Sequence, residues 1–374
     1  MAQSAVNPPF EYTEEANGGI MKKEREINLD IIRCLAVIGV LGVHFFLNTS
    51  YYQTPITNKR MVFMTGIRTI LMCCVPLFLL LTGYLMSRKK EISIHYYKGI
   101  RHTLGIYILV SICCLLYKNI FWGQGTGIIG AAKEILAFSA DGYSWYIEMY
   151  IGLFLMIPFL NILYSAIPEK TGKKILLCTL LFMTVAPTIF DFFGIKILPE
   201  WWENIWPLLY YFVGAYIREY HPKPDWKKNI LLLAVSFLAT ALINTYANYG
   251  NPYQNGVANE WWGWMTFINS VMLFILIKNL KTESLPLILK KIITKVSQVS
   301  LGIYLCSWMA DQYVYPIFNQ YVPEMDDKLN YYPLIVGIVF LISFILAFFL
   351  DRIYNLIEFI VRKIFNNRGG KAHA

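Results

Sequence analysis

Ten stretches of mostly apolar residues recur along this chain, and they leave few folds open to it. They cover about residues 29–48, 61–86, 102–121, 145–165, 175–193, 205–219, 229–247, 261–280, 298–317 and 332–351. A helix rises about 1.5 Å per residue, so roughly twenty residues match the ~30 Å hydrocarbon core of a bilayer. In that medium every backbone amide needs a partner inside the protein, and a helix supplies one for each. The pattern predicts an all-α polytopic membrane protein of about ten transmembrane helices. The stretch 205–219 is the shortest and contains Pro207. The segment 126–138 is too short to cross and is expected to lie along the interface as an amphipathic helix.

Basic residues orient the spans. Lys22, Lys23 and Arg25 precede the first. Alternate loops then hold Arg88, Lys89, Lys90, Lys98 and Arg101; Lys170, Lys173 and Lys174; Arg218, Lys223, Lys227 and Lys228; and Lys278, Lys281, Lys290, Lys291 and Lys295. Arg352, Arg362, Lys363, Arg368 and Lys371 follow the last span. The intervening loops carry only Lys59, Arg60, Lys133, Lys196 and Lys328. Cytoplasmic loops concentrate Lys and Arg, so both termini are expected in the cytoplasm, with the protein in the plasma (inner) membrane. This asymmetry also accounts for the net charge of +9 without a nucleic-acid partner. Residues 1–26 read as a disordered cytoplasmic tail, 27–355 as the transmembrane domain and 356–374 as a basic cytoplasmic tail. Met1–Gly19 is polar and lacks the apolar core of a signal peptide, so the first helix is expected to serve as the targeting signal.

All seven cysteines fall in apolar segments. They read as small buried side chains, without disulfides or a zinc site. No metal is expected. Walker, Rossmann and nucleophile-elbow glycine patterns are lacking, which leaves ATP-driven transport and serine-hydrolase chemistry without support.

Against this apolar background, Arg33 and His44 stand out in the first span. Eleven residues at about 100° each bring them to within roughly 20° of one face, about 16 Å apart along the axis. Ionisable groups inside a membrane are costly and usually functional. His44 is the one histidine well inside a span; His102 stands at the edge of the third, beside a cytoplasmic loop. A neutral imidazole there can take a proton from an attacking hydroxyl; the alternative is a histidine that packs helices together. Arg33, near the cytoplasmic end, can clamp an anionic cofactor through its planar fork of donors; the alternative is snorkelling or pairing with Asp30. Glu148, early in the fourth span, is expected at a depth where it could orient His44. Arg68, within the second span, could stabilise a developing oxyanion or pair with Glu148. Asp191 and Asp311 are expected near outer helix ends, in water.

The outer loops differ in chemistry. One reads PEWWENIW at Pro199–Trp206, and another reads NYGNPYQNGVANEWWGW at Asn248–Trp264. Trp201, Trp202, Trp261 and Trp262 could stack on a sugar acceptor, or form an ordinary aromatic belt.

LDIIRCLAVIGVLGVHFF, with Arg and His eleven residues apart in the first span, resembles the acyltransferase-3 family of integral membrane O-acyltransferases. VPLFLLLTGYLM at Val75–Met86, SWYIEMYIGLFLMIPFL at Ser144–Leu160 and SLGIYL at Ser300–Leu305 are similar to further motifs of that family, in the same order. The resemblance covers about residues 27–355. It implies transfer of an acyl group, commonly acetyl, from acyl-CoA (acetyl-CoA) to a hydroxyl of an extracytoplasmic surface glycan or lipid-linked sugar. The family's Arg and His carry over onto Arg33 and His44; His44 with Glu148 is expected as the catalytic pair, and Arg33 with Ser300 and Tyr304 on the donor side. One departure is plain. The family often has a second histidine two residues after Tyr-Leu, where this chain has Ser307, expected to be structural. A transporter or flippase for a sugar or acyl carrier is the alternative; it is weakened because no inverted repeat or pair of broken helices is evident.

Overall fold

The computed structural model describes residues 25–254 and 259–369, with side chains up to residue 364. Among them every regular element is helical: α1 (Ile27–Asn48), α2 (Lys59–Leu71), α3 (Cys74–Met86), α4 (Ile94–Lys98), α5 (Arg101–Trp122), α6 (Gly127–Leu136), α7 (Trp145–Ala166), α8 (Lys170–Thr184), α9 (Ala186–Phe192), α10 (Trp206–Tyr220), α11 (Trp226–Asn248), α12 (Trp264–Lys278), α13 (Leu287–Gln298), α14 (Ser300–Tyr321), α15 (Met325–Lys328) and α16 (Tyr332–Gly369), with short 3₁₀ turns between some of them. The expected N-terminal tail lies largely outside the described residues. At the other end α16 runs on past residue 356 as one helix.

Among the described residues, seven helical runs are long and apolar enough to cross a membrane: α1, α2–α3, α4–α5, α7, α8–α9, α11 and α15–α16. The three remaining apolar stretches form α10, α12 and α14. The first two have only 15 residues each. α14 carries Ser300, Ser307 and Asp311 on buried positions. These helices sit in the interior, where length and apolarity are set by protein neighbours more than by lipid.

Two stretches that read as single spans are broken. α2 ends and α3 begins around Met72 and Cys73. Pro76 has no N–H for the Met72 carbonyl, while Leu77 N still donates to Cys73 O at 2.9 Å. Pro187 likewise follows the break between α8 and α9 at Val185. α6 has no buried residue and presents Ile128, Ile129 and Leu136 outward. Cys178 is exposed on α8, unlike the buried Cys73, Cys74, Cys114 and Cys306.

α1 is the central post, packed against α2, α3, α12, α13, α14 and α16. Ile32, Val37, Leu41, Phe45 and Phe46 are fully enclosed on its core face. α3 and α10 meet backbone to backbone. A Cβ at Gly83 would strike the carbonyl of Tyr211, and one at Gly214 that of Leu80. Small residues at such crossings let membrane helices approach closely. This contact fixes α3, which carries one wall of the site.

Candidate active site

A cavity of about 380 Å³ runs beside α1. Arg33, Val40, Val43, His44 and Leu47 line it from α1, so the eleven-residue spacing does place the cation and the imidazole on one wall. α3 contributes Val75, Phe78, Leu81 and Thr82; α7 contributes Trp145, Tyr146 and Tyr150; α14 contributes Ser300, Leu301 and Tyr304. The wall is chiefly apolar with a few polar groups, the usual make-up of a small-molecule site.

At the Arg33 end the charges are balanced. Asp30 is 1% exposed. Arg25 grips it through Nε and Nη2 at 2.6 and 2.9 Å. Arg33 Nη1 donates to the same carboxylate and to Ser297 Oγ, both at 3.2 Å. Ser297 Oγ donates to Asp30 Oδ1 at 2.6 Å. Asp30 thus has two cations and a hydroxyl, and Arg33 is anchored on one side while its side chain borders the cavity.

At the His44 end the imidazole Nδ1 lies 3.3 Å from Asp311 Oδ2. The Asp311 residue is 1% exposed and His44 6%. Ser307 Oγ is 3.4 Å from the same nitrogen and donates to the Tyr304 carbonyl at 2.7 Å. Tyr143 stacks on the imidazole with ring centroids 3.8 Å apart. Its hydroxyl donates to Asp311 Oδ2 at 2.7 Å and accepts from Asn48 Nδ2 at 3.1 Å. Asn48 Nδ2 also donates to the His44 carbonyl at 2.8 Å. Both contacts of Asp311 fall on Oδ2, while its Oδ1 is buried without a protein partner among the described residues. With Nδ1 turned to Asp311, Nε2 is the opposite edge of a ring that borders the cavity. The loop holding Tyr143 is itself pinned. Asp141 accepts from Tyr143 N and Ser144 Oγ, each at 2.7 Å, and Tyr304 Oη donates to the Tyr143 carbonyl.

A second cation meets the cavity at Arg68, 3% exposed on α2. Its Nε donates to Tyr52 Oη at 2.7 Å and its Nη1 to Tyr253 Oη at 2.8 Å. The guanidinium lies over the Tyr253 ring, 4.2 Å from the centroid. Tyr52, Glu260 and Trp261 share this region of the wall. Burial pushes the Glu260 carboxyl above its ordinary range, and Arg68 opposes that rise.

A family profile of the acyltransferase domain matches residues 26–352, nearly the whole chain. The chain belongs to the acyltransferase-3 family. No curated protein and no solved structure matches it.

Within this acyltransferase domain, the structure brings together Arg33, His44, Arg68, Ser300, Tyr304 and Trp261 around one cavity. It does not bring Glu148 there. Glu148 is exposed on α7, because Tyr146 and Tyr150 turn to the cavity and position 148 points away from both. Asp311, expected in water, is the carboxylate beside His44. Of the other tryptophans, Trp201 is 78% exposed. Trp202 is half-buried outside the lining. Trp262 donates to Glu203 at 2.6 Å and stacks on Trp206. The indole that joins Trp261 is Trp145, with centroids 6.3 Å apart and planes 27° from parallel.

Proposed function

We propose that this acyltransferase moves an acyl group, acetyl in the simplest case, from cytoplasmic acyl-CoA to a hydroxyl of an extracytoplasmic glycan or lipid-linked sugar. The observation that carries the reading is the His44–Asp311 pair bordering the same cavity as Arg33. Ten helices with both termini in the cytoplasm fit the asymmetry of basic loops. In that orientation Arg33 meets CoA phosphate from the cytoplasmic side, and the thioester extends outward to His44.

The chemistry follows from the pair. The Asp311 carboxylate holds the Nδ1–H tautomer, leaving Nε2 with the lone pair. Nε2 takes the proton from the acceptor hydroxyl as its oxygen attacks the thioester carbonyl. Asp311 stabilises the imidazolium that forms. The tetrahedral adduct collapses, the C–S bond breaks, and the imidazolium returns its proton to the departing thiolate. The products are the O-ester and free CoA, with the base regenerated. Arg68 stands where it can stabilise negative charge on the adduct or orient the acceptor. Trp261 and Trp145 offer faces for a sugar ring.

The test is mass spectrometry of envelope glycans from cells with and without the protein. One acyl mass increment per modified sugar, lost in the absence of the protein, supports the reading. Unchanged glycans, together with CoA-independent sugar movement in proteoliposomes, would replace it with transport.

A further inference from the structure

Two asparagines buried between α2, α11 and α12 hold amide oxygens that no protein group among the described residues satisfies: Asn244 Oδ1 and Asn269 Oδ1. Their residues are 0% and 1% exposed. They belong to one ring of polar neighbours. Asn244 Nδ2 donates to Thr69 Oγ1 at 3.3 Å, and Asn269 Nδ2 to Thr240 Oγ1 at 3.1 Å. Thr240 and Asn244 are one turn apart on α11. Ser270, which follows Asn269 on α12, hydrogen-bonds the sulfur of Cys73, one turn beyond Thr69.

The orientation of both amides is fixed by chemistry. Thr69 Oγ1 already donates its proton to the Thr65 carbonyl at 2.9 Å, and Thr240 Oγ1 to the Ser236 carbonyl at 2.7 Å. Each hydroxyl can therefore only accept from an asparagine. Turning either amide round would set oxygen against a lone pair. The two Oδ1 atoms are thus committed to a donor from elsewhere. A polar contact that merely glued helices together would satisfy its own atoms; this one leaves two oxygens unpaired in a membrane protein's interior, where each is costly.

We propose that the ring is an internal hydration site, in which bound water bridges α2, α11 and α12. One water molecule matches the chemistry. Its two hydrogens serve Asn244 Oδ1 and Asn269 Oδ1, the two acceptors left over. An alkali cation fits less well, because the ring carries no carboxylate and Arg68 immediately precedes Thr69. The site lies on the last turn of α2, next to the break before α3. Water there braces the half-helix that carries Arg68 into the cavity wall. This inference does not depend on the acyl-transfer reading.

The test is a high-resolution structure of the full chain in detergent or nanodiscs. A density peak within hydrogen-bonding distance of both Oδ1 atoms is expected. Direct protein–protein pairing of these atoms, with no peak, would overturn the proposal. Thermal melting in sodium, potassium and choline chloride adds a second arm. The midpoint should be the same in all three; a rise specific to one alkali cation would make this a cation site and end the water account. A third arm compares variants. Asn269→Leu alone should lower the midpoint by several degrees. Asn244→Leu/Asn269→Leu together should lower it by less than the two single losses combined, since no stranded partner remains. Fully additive losses would count against the proposal. If the variants do not fold, the wild-type density and salt arms still decide it.

Discussion

His44 Nδ1 and Asp311 Oδ2 stand 3.3 Å apart, joining two helices whose residues are far apart in the chain. Asp311 also receives the Tyr143 hydroxyl on that same oxygen. One buried carboxylate therefore sets both the imidazole and the ring stacked on it.

Asp311→Asn tests this pair. The amide keeps the shape but can hold the wrong tautomer and cannot balance an imidazolium. Turnover should fall by about 100-fold or more, the usual scale for disrupted acid–base catalysis. CoA affinity should stay near wild type. Steady-state kinetics in nanodiscs would measure both; turnover within a factor of about three of wild type would remove Asp311 from the mechanism.

Tyr143→Phe should be milder. It keeps the stack on His44, with centroids 3.8 Å apart, and loses the bond from Asn48 as well as the one that reaches the catalytic pair, to Asp311. A net bond of about 1–1.5 kcal/mol corresponds to roughly a tenfold drop in turnover. A loss as large as that of Asp311→Asn would mean that the phenol itself takes part in proton transfer.

Arg33→Ala should weaken CoA binding by about 2–5 kcal/mol, roughly 30- to several-thousand-fold. Asp30 keeps Arg25 and Ser297 in that variant, so folding should survive. Arg33→Lys keeps the charge but loses the fork, and should fall between. Calorimetry with CoA on the purified variants gives the order directly; equal affinity in all three would make Arg33 structural.

Much of this site was legible in sequence, and the misses have physical causes. Helix periodicity alone places Arg33 and His44 on one face, and both border the cavity. The same arithmetic applied to α14 would have found Asp311. Ser300, Tyr304, Ser307 and Asp311 follow helical spacing, and eleven residues again separate the first from the last. Asp311 reads as solvated because a span's end in sequence says nothing of what covers it, here Tyr143 and His44 from other segments. Glu148 shows the converse: position along a span suggests a depth, but rotation about α7 turns this residue away from the cavity. Trp201 and Trp262 show that composition identifies an aromatic region without naming the ring that reaches the cavity. The breaks before Pro76 and Pro187 were available from the prolines themselves.

Gly83→Ala probes the scaffold apart from the chemistry. The added methyl meets the Tyr211 carbonyl on α10, and overpacking of this kind costs about 1–3 kcal/mol. A lower melting midpoint is expected, with activity falling as α3 shifts from the cavity wall. An unchanged midpoint would show that α3 and α10 separate freely.

The most direct measurement compares wild type with His44→Ala, using labelled acyl-CoA and acceptor in a single-turnover experiment alongside CoA calorimetry. His44→Ala protein should bind CoA with near wild-type affinity and form no labelled ester above background. Ester formation at the wild-type rate by correctly inserted His44→Ala protein would contradict the account.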